Sequence, residues 1–345
     1  MNLNKPIKLG RWILVVPLLL LISCGPASET TTLTAPAYSA VTSEPVHAMP
    51  TSPTADTTLA PLPVPLTGGL AGFRDQLAVA DQFFVTLTDV PTPPDGQAYQ
   101  GWLLGDDGTI ISVGMLTLSP DGNATLIWNS PNSENLFSRY VRFQVTLEPE
   151  AGDASPTGKV VFAGGLDGAA LTNARRLLVK NDGEPVTPLN TAYALGLLAQ
   201  TDIAAQHIQN ASNAAAIGAQ AEMRAHLEHI VNILAGMGGP RYSDHDGNGT
   251  AENPGDGFGV IGYSRQIAEI LARQETVVET NAAIKAQSVA IQDKCLEIIN
   301  LTDLAAATAQ LDEAEKLINQ LQTVLVARLY QAVQDTVRFE VAPTE

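Results

Sequence analysis

Two clusters of residues in the carboxy-terminal half have the types and spacing needed to hold a cation. The first is the run Asp244-His245-Asp246-Gly247-Asn248-Gly249-Thr250-Ala251-Glu252. Short oxygen-bearing side chains at alternate positions can curl round a hard cation, and a glycine at the sixth position permits the sharp bend of an EF-hand loop. Asp244, Asp246, Asn248 and Glu252 fall at the first, third, fifth and ninth positions, and the Thr250 carbonyl at the seventh. The twelfth position is Gly255 instead of a bidentate glutamate, and Asp256 follows it. The loop therefore has two readings. One is a Ca²⁺ site built from Asp244, Asp246, Asn248, Thr250, Glu252 and Asp256; the other is a Gly/Asp/Asn connection whose side chains bond its own backbone.

The second cluster is His207, Glu222, His226 and His229. His226 and His229 are three residues apart and share one helix face with Ile230 and Ile233. If the chain turns back near Gly218, His207 comes level with that face. Three imidazoles and a carboxylate between two helices can bind a transition metal. The alternative is a set of ordinary helix histidines bonded to neighbouring groups.

Positioning these residues requires helices. The span 186–340 reads as a helical domain interrupted by a loop at 237–263. One helix is expected over residues 190–215 and a second over 219–235, ending at Gly236. A third is expected from Ser264, as its N-cap, to Ile299. The fourth starts at Asn300 with Asp303 at N3, and carries Leu304, Leu311, Ala314, Ile318, Leu321 and Leu325 at three- and four-residue steps. Four amphipathic segments make a four-helix bundle the expected arrangement.

Residues 68–168 read as β structure. Strands are expected at 83–87, 99–104, 110–116, 124–128, 142–147 and 159–162, separated by turns such as Asp106-Asp107-Gly108 and Pro120-Asp121-Gly122. Short strands at this spacing predict an antiparallel β-sandwich. The fold class expected from sequence is thus α+β with more than one domain, the sandwich preceding the helical bundle.

The amino terminus reads as an address. Lys5, Lys8 and Arg11 precede an apolar run from Trp12 to Leu21, which closes on Leu21-Ile22-Ser23-Cys24. That run is about half the roughly 20 residues of a membrane-spanning helix, as in a signal peptide. Leu-x-Ser-Cys at its end resembles the lipobox of bacterial lipoproteins, which implies cleavage after residue 23 and lipidation of Cys24. Acyl chains would then anchor the protein to a membrane. Residues 24–67 follow as a Thr/Pro-rich tether. Residues 25–67 alone hold eight Pro, ten Thr and four Ser with no Lys or Arg, a composition that cannot bury enough apolar surface to fold. Cleavage would leave Cys295 as the one remaining cysteine, read as a buried and inert thiol.

Composition excludes several functions. With 19 basic and 36 acidic residues the net charge is −17, so the chain has no general attraction for phosphate backbones and no nucleic-acid partner is expected. No Gly-x-Ser-x-Gly, His-Glu-x-x-His or Walker loop is present, and the chain reads as non-enzymatic.

The β region resembles a known family. Tyr99-Gln100-x-Trp102, Gly114, Asp121-Gly122-x-Ala124, Phe143-x-Val145-Thr146-x-Glu148-Pro149 and Ser155-Pro156-Thr157-Gly158-x-Val160-Val161 occur in that order. The series is similar to the extracytoplasmic C-terminal domain of anti-sigma-K factors. The resemblance implies a β domain outside the cytoplasm, connected in that family with signal sensing. Members hold the sigma factor through a cytoplasmic helical domain, for which the eleven residues before the apolar run are too few. Fold and compartment are therefore carried over, and anti-sigma activity is not. The reading is a membrane-anchored, extracytoplasmic lipoprotein of the cell envelope that binds a ligand or an envelope protein. The alternatives are an envelope-stress regulatory component and a His-ligated transition-metal or redox protein.

Overall fold

The computed structural model describes residues 67–344. The expected signal peptide, Cys24 and residues 24–66 of the tether lie outside them.

Alternation of apolar and polar residues builds the sheet. In β2 (Gln82–Thr88), Phe83, Val85 and Leu87 are buried, while Thr86 and Thr88 face out. The other strands of this region are β1 (Gly68–Arg74), β3 (Gln97–Gly105), β4 (Ile110–Met115), β5 (Thr117–Leu118), β6 (Ala124–Asn129), β7 (Tyr140–Pro149) and β8 (Val160–Gly165); β6 keeps the alternation, whereas Tyr99 to Leu103 of β3 are buried on both faces. All six strands expected from sequence are present. The last strand, β9 (Arg338–Pro343), comes from the far end of the chain, with Phe339 and Val341 buried.

The strands form one antiparallel sheet in the order β4-β3-β7-β8-β9-β1-β2-β6-β5. This corrects the sandwich expectation. Without β9 the strands would fall into two four-stranded groups. β9 pairs with β1 on one side (Gly69 with Val341, Ala71 with Phe339) and with β8 on the other (Gly164 with Val341), and so joins them. Irregular registers at Gly101/Trp102, Leu104/Gly105 and Val145/Thr146 add twist. The ends then approach, β4 against β6, and the sheet is a near-barrel.

The helices are α1 (Gly168–Leu178), α2 (Tyr193–Ala216), α3 (Gln220–Ala235), α4 (Val260–Ile270), α5 (Glu275–Ile299) and α6 (Leu304–Gln320), which continues through a π-turn at Leu321–Val326 into α7 (Ala327–Asp335). Three expectations change. The helix expected to start at Ser264 is two: Gly259 is the N-cap of α4, Ser264 is buried inside it with its hydroxyl on the Ile261 carbonyl (3.2 Å), and the chain breaks before Glu275. Asp303 is the N-cap of α6, not N3, and its carboxylate accepts the Ala305 N–H at 3.0 Å. Helix α1 falls in a stretch to which the sequence assigned no element.

The helices share their core with the sheet. The described residues all fall in one compact unit, and a continuous set of buried side chains runs from Phe73 and Phe83 in the strands to Leu227, Ile284 and Leu329 in the helices. Polar contacts reinforce this junction: the Tyr330 hydroxyl and the Gln334 amide of α7 both donate to the Asp75 carboxylate, each at 2.7 Å. Among the described residues no helix is long and apolar enough to cross a membrane.

Candidate metal centre

Helices α2 and α3 form an antiparallel hairpin that turns at Gly218, whose φ of +80° suits a residue without a Cβ. The turn brings His207 of α2 level with His226 and His229 of α3. Nδ1 of His207 lies 3.0 Å from Nδ1 of His226 and 3.3 Å from Nδ1 of His229. All three imidazoles are half-buried and offer ring nitrogens within 4.8 Å of one another. Burial, followed by the nearness of the other two rings, pushes the His207 imidazole down to about 4. Burial and His229 lower His226 too, against the opposing influence of Glu222. Burial thus favours the uncharged form of the His207 and His226 rings, which leaves each a lone pair to ligate.

The outer nitrogens face carboxylates. His229 Nε2 lies 3.2 Å from Glu252 Oε2, and because a carboxylate only accepts, the imidazole donates. Glu222 Oε1 stands 3.9 Å from His226 Nε2, beyond direct hydrogen bonding. The structure thus brings together the three histidines of the second sequence cluster and leaves Glu222 at their outer edge.

The Asp/Gly loop is held from α3. Glu228, 1% exposed, accepts the backbone N–H groups of His245 (2.6 Å), Asp246 (2.9 Å) and Glu252 (2.9 Å). Asn232, one turn on and fully buried, donates to the carbonyls of Ser243 and Glu252 and accepts the Ser243 N–H. Within the loop Asp244 accepts from Gly247 and Gly249, Asp246 from Asn248, and Asn248 from Thr250. Asp244 and Asp246 converge with Glu228. Glu252 and Asp256 turn elsewhere: Glu252 to His229, and Asp256 to the Tyr263 hydroxyl (2.5 Å) and the Phe258 N–H. The two sequence clusters are therefore one assembly, with the loop delivering Glu252 to the histidines. Sequence reasoning missed Glu228 and Asn232. Their only signal was polarity within the largely apolar run Leu227–Leu234, which also carries His229.

A separate buried network sits in the sheet. The Trp102 indole donates to Thr146 Oγ1 (2.7 Å), and Thr146 donates to Glu148 (2.6 Å). Glu148 also accepts from the Thr157 N–H and hydroxyl and from the Gly158 N–H. Burial alone would raise this carboxyl; the donors outweigh it and bring it down to about 2. A Cβ on Gly158 would stand 1.9 Å from the Leu147 carbonyl oxygen, so only glycine lets this segment close on β7.

Trp102, Thr146, Glu148, Thr157 and Gly158 of the motif series thus meet in one network. Residues 14–160 match the family model described as anti-sigma-K factor rskA, C-terminal. The resemblance of the β region is thereby shown. The matched span covers β1 to β7 and ends at the first residue of β8. The helices, both metal-site clusters and β9 lie outside it. No curated protein and no solved structure matches the chain.

Proposed function

We propose that this chain is a membrane-associated regulatory protein of the anti-sigma-factor type that works by binding, without catalysis, and whose helical half receives the ligand or partner. The match of residues 14–160 carries the reading and favours the regulatory alternative over a plain binding module. The topology supplies a route for the signal. β9 runs from the end of α7 into the sheet between β8 and β1, so a change in helix packing reaches the matched strands through backbone hydrogen bonds. In this reading lipid on Cys24 and the tether hold the folded part outside the cytoplasm.

Deleting the gene and comparing transcripts with and without envelope stress tests the reading. A discrete set of genes should change expression, restored by the wild-type chain and not by Cys24→Ser. An unchanged transcript profile under stress would contradict the regulatory role. Full complementation by Cys24→Ser would contradict the anchor.

A further inference from the structure

We propose that His207, His226 and His229 form a binding site for one divalent transition metal of the zinc class, ligated through their Nδ1 atoms. The site stands apart from the regulatory reading and holds whether or not the chain controls a sigma factor.

The first argument is distance. A four-coordinate ion with Zn–N bonds of 2.0–2.1 Å separates its nitrogen ligands by about 3.3 Å. The two Nδ1–Nδ1 separations are 3.0 and 3.3 Å. His207 thus stands at ligand spacing from both rings of α3, and all three offer a nitrogen within 4.8 Å of one another.

The second argument is proton bookkeeping. Glu252 accepts from Nε2–H of His229, which leaves Nδ1 of that ring as a lone pair. Glu222 stands 3.9 Å from the outer nitrogen of His226, too far to fix the tautomer of that ring. The Nδ1 atoms of His226 and His229 both face the one Nδ1 of His207, which carries either a single proton or a lone pair. It can satisfy one neighbour and must face the other unpaired. A cation between the three nitrogens satisfies all of them at once. An imidazole whose second nitrogen donates to a carboxylate is the usual outer arrangement of a metal-bound histidine.

The third argument is access and rigidity. His226 lines an open groove of about 450 Å³ together with Asn210, Asn213, Ala214, Ile217 and Glu222, which gives an ion an entry route and room for an exchangeable fourth ligand. His229 and Glu252 are fixed from behind, because Glu228 and Asn232 lock the segment that carries Glu252 onto α3. Binding would tie together α2, α3 and the Asp/Gly loop.

The experiment is calorimetric titration of the full chain, purified without a His tag, with Zn²⁺, alongside the visible spectrum of the Co²⁺ form. One ion per chain is expected, with a nitrogen-rich Co²⁺ spectrum. His207→Ala and His226→Ala should each abolish stoichiometric binding. Glu252→Gln should weaken it roughly 10–100-fold, as loss of a carboxylate behind a metal-bound histidine does. His245→Ala, whose ring lies on the Arg241 carbonyl, should leave it unchanged. If either alanine variant loses its helical circular dichroism, Glu252→Gln decides. No binding at about 100 μM Zn²⁺, far above the affinity of a three-histidine zinc site, would overturn the proposal. So would binding that survives both alanine variants, or binding lost in Asp244→Ala and kept in His207→Ala.

Discussion

Replacing Glu148 with Gln should lower stability sharply and with a distinctive pH dependence. The carboxylate is completely buried and accepts from Thr146, Thr157 and Gly158. Every partner is a donor. A glutamine amide keeps one acceptor oxygen and turns an NH₂ towards the Gly158 N–H, which can only donate, and the charge that strengthened every bond is lost. Charge-assisted bonds contribute roughly 1.5–3 kcal/mol each, and an unsatisfied buried donor costs a further 1–3 kcal/mol, so a net loss of about 2–4 kcal/mol is expected. At roughly 2–4 °C per kcal/mol for a folded unit of this size, Tm should drop by about 4–16 °C. The carboxyl stands at about 2 in the folded chain against an ordinary 4.5. Its contribution is therefore fully present above pH 4.5, declines as pH falls from there, and is lost below about 2. Thermal and urea unfolding of both chains between pH 7 and pH 2.5 would read this out. The gap between wild type and variant should be widest at neutral pH and shrink in acid. Equal stability at pH 7, or a gap independent of pH, would refute the reasoning.

Other outcomes follow from the same structure. Deleting residues 338–345 removes β9, exposes the β1 and β8 edges and should cause aggregation on size-exclusion chromatography; a monomer of unchanged Tm would contradict the bridging role. Gly196→Ala places a Cβ 2.1 Å from Cζ of Tyr263 and should cost about 1–3 kcal/mol in urea unfolding, with no loss indicating that α2 and α4 separate easily. Asp75→Ala should cost about 1 kcal/mol by removing the acceptor for Tyr330 and Gln334. Cys295 is fully buried, and burial pushes its thiol up to about 12, so it should resist thiol reagents at pH 8 until the chain is unfolded; rapid stoichiometric labelling of the folded protein would contradict this.

Sequence patterns located the elements better than their assembly. The strand at 83–87 and the helices around His207 and His226 followed from local period, because one face of each is buried. β9 has the same alternation, Phe339 and Val341 against Arg338 and Glu340, but directly follows a helix and pairs with strands far earlier in the chain. No local signal shows that pairing, and without it the strands read as two sheets. β1 was obscured by Gly68, Gly69 and Gly72, which weaken a strand pattern while allowing close strand contact. The break between α4 and α5 has no Gly or Pro at Leu271–Gln274. Packing overrides helix propensity there.

For the candidate site, spacing placed the three histidines level once the turn at Gly218 was assumed. What spacing could not show was the direction of Glu252. That direction is set by Glu228 and Asn232, two polar residues buried in an apolar helix face.

The account depends most on the helices and the matched strands acting as one body. Trp102 and Trp128 are the only tryptophans among the described residues and both lie in the sheet, whereas circular dichroism at helical wavelengths reports α1 to α7. Urea unfolding followed by both signals should give superimposable transitions with a single midpoint. Separate midpoints, with helices lost before tryptophan fluorescence changes or the reverse, would show two independent units and contradict transmission through β9.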